Sequence, residues 1–234
     1  MNAYPKEQPL HVNTASNLPI VRPAGLASDN VVIPYDAYVY DDADFEYEAG
    51  LLISQTKNSV VCAVNPHKQI YQASMTKILT AVVVMDAVNS GQISLNDTVV
   101  IRKEIEFNEA NVTALGLEPG DYITVNELLH GLLISSYNDC AIALARYVSG
   151  SVSDFVDLMN KKAQELGATN SHFVNPHGLH DNNHYTTPYD LYLIFKEFLK
   201  YDTLVQIDSS SSYVLTMYKD SEKITTELTP TNAF

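Results

Sequence analysis

One stretch in the first half of the chain constrains the fold more than any other. No proline or glycine interrupts residues 74–88, and apolar side chains cover nearly the whole circumference of a helix drawn there. A surface helix would keep a polar face, so this pattern predicts a helix buried inside the protein, with Gly91 as its C-cap. The chain is long enough to enclose such a helix, since 234 residues with 46% hydrophobic content suit one globular domain.

The patterns on either side of this helix predict an α+β fold with a helical lobe. Two apolar runs, at residues 50–54 and 59–64, indicate a β-hairpin ahead of it. Further helices are predicted at residues 124–134, 138–147, 151–167 and 187–200, and a second hairpin at residues 213–228. The spacing of Thr124 and Glu127 is that of a capping box. Strands, then helices, then strands is the order typical of α+β domains.

The first residues differ in composition from the rest. Residues 1–30 hold four prolines among Asn, Ser and Thr and show no apolar period, which predicts an extended leader or tether ahead of a domain at 31–234. The role of the acidic, Tyr-rich stretch 35–48 stays open. A formal charge of −14 disfavours nucleic acid and anionic lipid as partners. Cys62 and Cys140 are interpreted as small buried hydrophobes rather than a disulfide.

Ser74-Met75-Thr76-Lys77 is the first candidate for chemistry. Positions i and i+3 of a helix share a face, so the Lys77 ammonium can lie against the Ser74 hydroxyl. Burial would lower the pKa of Lys77. The neutral amine could then take the proton of the Ser74 hydroxyl as this serine becomes acylated. The alternative is an ordinary Ser74 cap with Lys77 reaching solvent. The string from Ser54 to Lys57 also fits, but it spans a predicted strand end and turn.

A second candidate lies between two predicted helices. Ser136-Tyr137-Asn138 occupies the bend between them, where side chains can project into a cleft.

These motifs, in this order, resemble the serine D-alanyl-D-alanine carboxypeptidases, the low-molecular-mass penicillin-binding proteins of the active-serine penicillin-recognising superfamily. The resemblance is carried by residues 72–80, 132–139, 155–167 and 170–190, and it covers most of residues 48–200. It implies the transpeptidase fold that these proteins share with β-lactamases.

The resemblance also implies a role for each matching residue. Ser74 is the expected nucleophile, Lys77 its base, Ser136 the relay of a proton to the leaving amine, and Asn138 a substrate-binding residue. The expected partners are peptidoglycan stem peptides ending in D-Ala-D-Ala and β-lactam antibiotics, with no cofactor or metal. The expected location is outside the cytoplasmic membrane, facing the cell wall, with residues 1–30 as a tether behind an export signal that this chain does not carry.

One departure from the family is clear. No Lys-Thr-Gly motif occurs in the 234 residues, and the order of motifs would place it after Phe234. The sequence therefore predicts a partial domain that lacks C-terminal sheet strands and has little activity. It also predicts that the hairpin at 50–64 has an open apolar edge through which copies of the chain self-associate.

Three rival interpretations remain at this level. Four histidines (His172, His177, His180 and His184) suggest a metal site, but no ligand spacing supports one, and the loop-forming residues among them indicate surface and turn positions. A catalytically incomplete penicillin-binding-like sensor or cell-wall scaffold is the second. A class A β-lactamase is the third. Preference for carboxypeptidase or endopeptidase substrates and the oligomeric state stay undetermined.

Overall fold

The structure is a computed structural model that describes residues 48–56, 59–109 and 112–231. The leader predicted for residues 1–30 and most of the acidic stretch lie outside the described residues. The strands are β1 (Gly50–Ser54), β2 (Ser59–Val64), β3 (Thr98–Val100), β4 (Tyr122–Thr124), β5 (Tyr213–Lys219) and β6 (Glu222–Leu228). The helices are α1 (Thr76–Asn89), α2 (Val125–Ile134), α3 (Asn138–Ser149), α4 (Val152–Glu165), α5 (Pro188–Phe198) and α6 (Asp202–Asp208). This mixture of helix and sheet confirms the predicted α+β class.

Helix α1 is the centre of the molecule, as predicted. It packs against α2, α3, α4 and α5. Its side chains are buried around most of its circumference, from Thr76 and Lys77 at one end to Ala87 at the other. The helix ends at Asn89, and Gly91 follows with a φ of +74°, a left-handed conformation that glycine adopts without steric cost.

The first predicted hairpin is present, and it stands alone among the described residues. β1 and β2 pair antiparallel from Gly50↔Val64 to Ser54↔Ser59, with an irregularity after Leu52. Within the described part of the chain, the other edge of β1 has no strand partner.

The remaining strands form a four-stranded sheet in the order β3-β4-β5-β6. The predicted second hairpin is its β5-β6 half, and the turn residues Asp220 and Ser221 have φ values of 49° and 68°. That backbone matches the right-handed twist of two-residue hairpins. The sequence predicted neither β3 nor β4, each three residues long. In β5, Leu215 and Met217 are buried.

Helix α2 begins as its sequence predicts, but its capping box is only half formed. The Thr124 hydroxyl accepts a hydrogen bond from Glu127 N at 3.1 Å. The Glu127 carboxylate accepts instead from Tyr213 Oη at 2.8 Å and from Thr216 N at 2.9 Å. The same residue that opens α2 therefore also joins it to β5.

Two further features bear on the sequence predictions. Cys140 is buried and Cys62 half-buried, and neither forms a disulfide. In the described part of the chain, no helix combines the length and apolar character needed to cross a membrane.

Candidate active site

Ser74 and Lys77 lie together at the beginning of α1. Ser74 is exposed in a short 3-10 turn, Ala73–Met75, that leads directly into the helix. Lys77 Nζ donates to Ser74 Oγ at 3.1 Å, as the i, i+3 spacing predicts. The alternative in which Lys77 reaches solvent is wrong, because this residue is only 3% exposed.

The Lys77 ammonium has an acceptor for each of its three N–H groups. Besides Ser74 Oγ, it donates to Asn138 Oδ1 at 2.8 Å and to the His177 carbonyl at 2.7 Å. Burial lowers the pKa of Lys77 to about 8. Roughly a tenth of the protein would then carry a neutral amine at pH 7, enough for a base in contact with a hydroxyl.

Asn138 joins this pair, and Ser136 lies at the adjacent bend. Asn138 is 5% exposed, and its Nδ2 donates to the Thr113 carbonyl at 3.0 Å, so both ends of its amide have protein partners. Ser136 is partly buried, with a φ of +57° between α2 and α3. Among the described residues, no hydrogen bond joins its hydroxyl to Ser74 or Lys77. The structure therefore brings three of the four predicted residues into direct contact.

Asp139 supports this site in a way that sequence reasoning missed. It is 2% exposed, and its carboxylate accepts from three successive backbone amides, of Leu115 at 3.0 Å, Gly116 at 2.7 Å and Leu117 at 3.0 Å. Thr113, just before them, accepts from Asn138. Asp139 thus holds this loop against the residue that contacts Lys77. Its only sequence signal is its position directly after Asn138.

The segment 175–184 forms a second wall beside α1. The Pro176 carbonyl accepts from Thr80 Oγ1 at 2.7 Å, and the next carbonyl, of His177, accepts from Lys77. Gly178 follows with a φ of +91°, and a Cβ placed there would lie 2.0 Å from the Ala73 carbonyl oxygen. Only glycine fits at this close approach.

The predicted surface position of the histidines is wrong for two of them. His177 is 9% and His184 2% exposed. Burial lowers the pKa of each ring to about 4, so both are neutral at physiological pH. Each ring has its own protein partner: Leu179 N donates to His177 Nδ1 at 3.1 Å, and His184 Nε2 lies 2.7 Å from Thr76 Oγ1. Among the residues that the structure describes, no group of three or more His, Cys, Asp or Glu side chains could hold a metal ion.

This geometry agrees with what the chain resembles. Residues 38–232 match the family model of D-alanyl-D-alanine carboxypeptidase. The chain belongs to this family. It is 38% identical over 161 residues to D-alanyl-D-alanine carboxypeptidase DacF of Bacillus subtilis, an alignment that covers 69% of this chain and 41% of DacF.

Solved structures of penicillin-binding proteins and DD-transpeptidases share the fold. A mutant of a Streptomyces DD-transpeptidase aligns with a TM-score of 0.70 and 26% identity, over 79% of this chain and 74% of that one. Penicillin-binding protein 5 of Haemophilus influenzae aligns with a TM-score of 0.62 and 31% identity, over 71% of this chain and 48% of that one. The predicted penicillin-recognising fold is confirmed. The chain spans about two fifths of the length of the curated relatives it matches.

Proposed function

We propose that the protein is a serine DD-carboxypeptidase that removes the terminal D-alanine from peptidoglycan stem peptides. One observation carries the proposal: the exposed Ser74 hydroxyl accepts a hydrogen bond from a buried lysine whose pKa is lowered to about 8. A serine next to a base of this kind is the arrangement that covalent acyl transfer needs. Membership of the D-alanyl-D-alanine carboxypeptidase family supports this substrate class.

Acylation begins with a proton transfer. Neutral Lys77 takes the proton of Ser74 as Oγ attacks the carbonyl carbon of the penultimate D-alanine. The tetrahedral intermediate collapses, and the bond to the terminal D-alanine nitrogen breaks. That nitrogen receives the proton from Lys77 by way of Ser136, and free D-alanine leaves. Asn138 orients the substrate with the second N–H of its amide, which donates to the substrate's peptide carbonyl, since the first donates to Thr113.

Deacylation consumes one water molecule. Lys77 takes a proton from the water as its oxygen attacks the ester carbonyl carbon, and the proton returns to Ser74 Oγ as the ester bond breaks. The products are the shortened peptide and the free enzyme. β-Lactams acylate the same serine, but their cleaved amide stays attached to the acyl group, so they inhibit the enzyme.

The direct test is release of D-alanine from a peptide ending in D-Ala-D-Ala by the complete product of the coding sequence. We expect release that Ser74→Ala abolishes. Release that persists in Ser74→Ala would contradict the proposal. A β-lactam sensor or cell-wall scaffold is the second candidate, because these 234 residues themselves contain no Lys-Thr-Gly string. Acylation of Ser74 without release of D-alanine would favour it.

The proposed location follows from the proposed substrate. Stem peptides lie outside the cytoplasmic membrane, so we place the protein there, facing the cell wall. Protection of the protein from added protease in intact protoplasts would contradict this location.

The proposed site of self-association with a second copy is the edge of β1 that has no strand partner among the described residues. It borders an apolar groove of about 430 Å³ between β1, α1 and α5, and Leu52 on this strand is 58% exposed. An edge strand can pair antiparallel with its own copy about a two-fold axis. Sedimentation should show a dimer that Leu52→Lys weakens, and a monomer at all concentrations would contradict it.

A further inference from the structure

A buried hydrogen bond joins His184 to the middle of the Ser74–Lys77 segment. His184 Nε2 lies 2.7 Å from Thr76 Oγ1, across 108 residues of sequence. The two residues are 2% and 0% exposed, so water does not compete for either group. Neither residue has a part in the acyl transfer described above.

The surroundings of the ring fix its tautomer. Val174 N donates to His184 Nδ1 at 3.1 Å, so this nitrogen carries a lone pair. The proton of the neutral ring is therefore on Nε2, which donates to the Thr76 hydroxyl. Burial lowers the pKa of His184 to about 4, so the ring is neutral and carries a single proton.

The backbone three residues before Thr76 is strained. Ala73, directly before Ser74, has a φ of +48°, a left-handed conformation that strains a non-glycine residue. Such a conformation persists only where neighbouring contacts fix it. Thr76 begins the helix immediately after this 3-10 turn, so the His184 bond acts within one turn of both Ser74 and Lys77.

We propose that His184 is a positioning residue that fixes the Ser74 hydroxyl relative to Lys77 through the side chain of Thr76. This inference rests on the proposed function. It adds His184 to the residues that hold Ser74 and Lys77 in position. His184 contacts neither the substrate nor the reacting atoms.

Three substitutions test the bond of His184 to Thr76 separately from its bond to the Val174 amide. His184→Asn keeps an acceptor near Nδ1 but does not reach Thr76, whereas the longer amide of His184→Gln reaches the position of Nε2. Thr76→Val removes the hydroxyl at nearly constant shape. We expect His184→Asn and Thr76→Val each to slow acylation by a fluorescent penicillin roughly 10- to 100-fold, because small misplacements of a nucleophile have effects of that size.

The expected pattern is specific to positioning. The dissociation constant of the non-covalent penicillin complex should change less than about twofold. His184→Gln should restore most of the lost rate, and the double variant His184→Asn/Thr76→Val should be no slower than either single variant. Acylation of His184→Asn at the wild-type rate would overturn the inference. If His184→Asn does not fold, Thr76→Val takes its place, and acylation of that variant at the wild-type rate would overturn the inference.

A second measurement separates this inference from the proposed function. Absence of labelling in the wild-type protein would refute the function, and the titration of Lys77 followed by the ¹³Cε chemical shift then tests His184. We expect His184→Asn to raise the pKa of Lys77 from about 8 towards 10.5, because a loosened turn exposes the amine. An unchanged titration would overturn the inference.

Discussion

Gly178 lies against Ala73 so closely that a Cβ at position 178 would come within 2.0 Å of the Ala73 carbonyl oxygen. Both residues have positive φ, of 91° and 48°. The contact connects the loop that follows α4 to the residue directly before Ser74. The position of the nucleophile therefore depends on a close backbone approach that side-chain chemistry alone does not explain.

Gly178→Ala should destabilise the protein by more than about 2 kcal/mol, since the new methyl group meets backbone and the φ disfavours alanine. Urea unfolding measures the loss. Gly150→Ala is the matched control, because its φ is +82° but no atom lies within 4 Å of the added Cβ. Equal losses in the two variants would show that the approach to Ala73 is not tight.

The rate of acylation should rise with pH between about 6 and 9, with an apparent pKa near 8, because the base form of Lys77 is the neutral amine and burial lowers its pKa to about 8. Stopped-flow mixing with a fluorescent penicillin measures this profile. Lys77→Ala should slow acylation severely while the fold stays intact. A profile independent of pH in this range would show that Lys77 is not the base.

Stability should fall as the pH drops from about 6.5 to about 4. In this window the unfolded chain takes up protons on His177 and His184, whereas the folded protein does not, because burial lowers both pKa values to about 4. Each histidine contributes about 3 kcal/mol across the window. Urea unfolding of His184→Gln should show a smaller loss than the wild type, and an equal loss would contradict the assignment.

Asp139→Asn should release the loop before α3, because an amide cannot accept from all the backbone N–H groups that the carboxylate holds. We expect a destabilisation of about 1–3 kcal/mol. Hydrogen exchange at the amides of Leu115, Gly116 and Leu117 should become faster. Asp157→Asn, on the exposed face of α4, is the control. Unchanged protection of the three amides would refute the role of Asp139.

The sequence predicted those parts of the fold that depend on local patterns. The buried character of α1 follows from apolar side chains on every face, and the beginnings of α2 and α5 follow from caps three residues apart, as at Thr187, whose hydroxyl accepts from Asp190 N at 3.0 Å. The contact of Ser74 with Lys77 was predictable for the same reason. Residues at i and i+3 of a helix lie on the same face, so their side chains can meet.

What the sequence did not predict depends on distant partners. His184 meets Thr76 across 108 residues, and Asp139 meets Leu115 across 24, so no local spacing reveals either contact. Strands β3 and β4 are too short to show a period of two. The burial of Leu215 and Met217 in β5 is likewise set by the elements that pack on that strand.

The central claim is that Ser74 is an acylated nucleophile. Incubation of the complete gene product with a fluorescent penicillin, followed by peptide mapping, tests it most directly. We predict one covalent adduct, on the peptide that contains Ser74, which Ser74→Ala abolishes and Ser54→Ala, in the other Ser-x-x-Lys string, leaves unchanged. Labelling that survives Ser74→Ala would contradict the account.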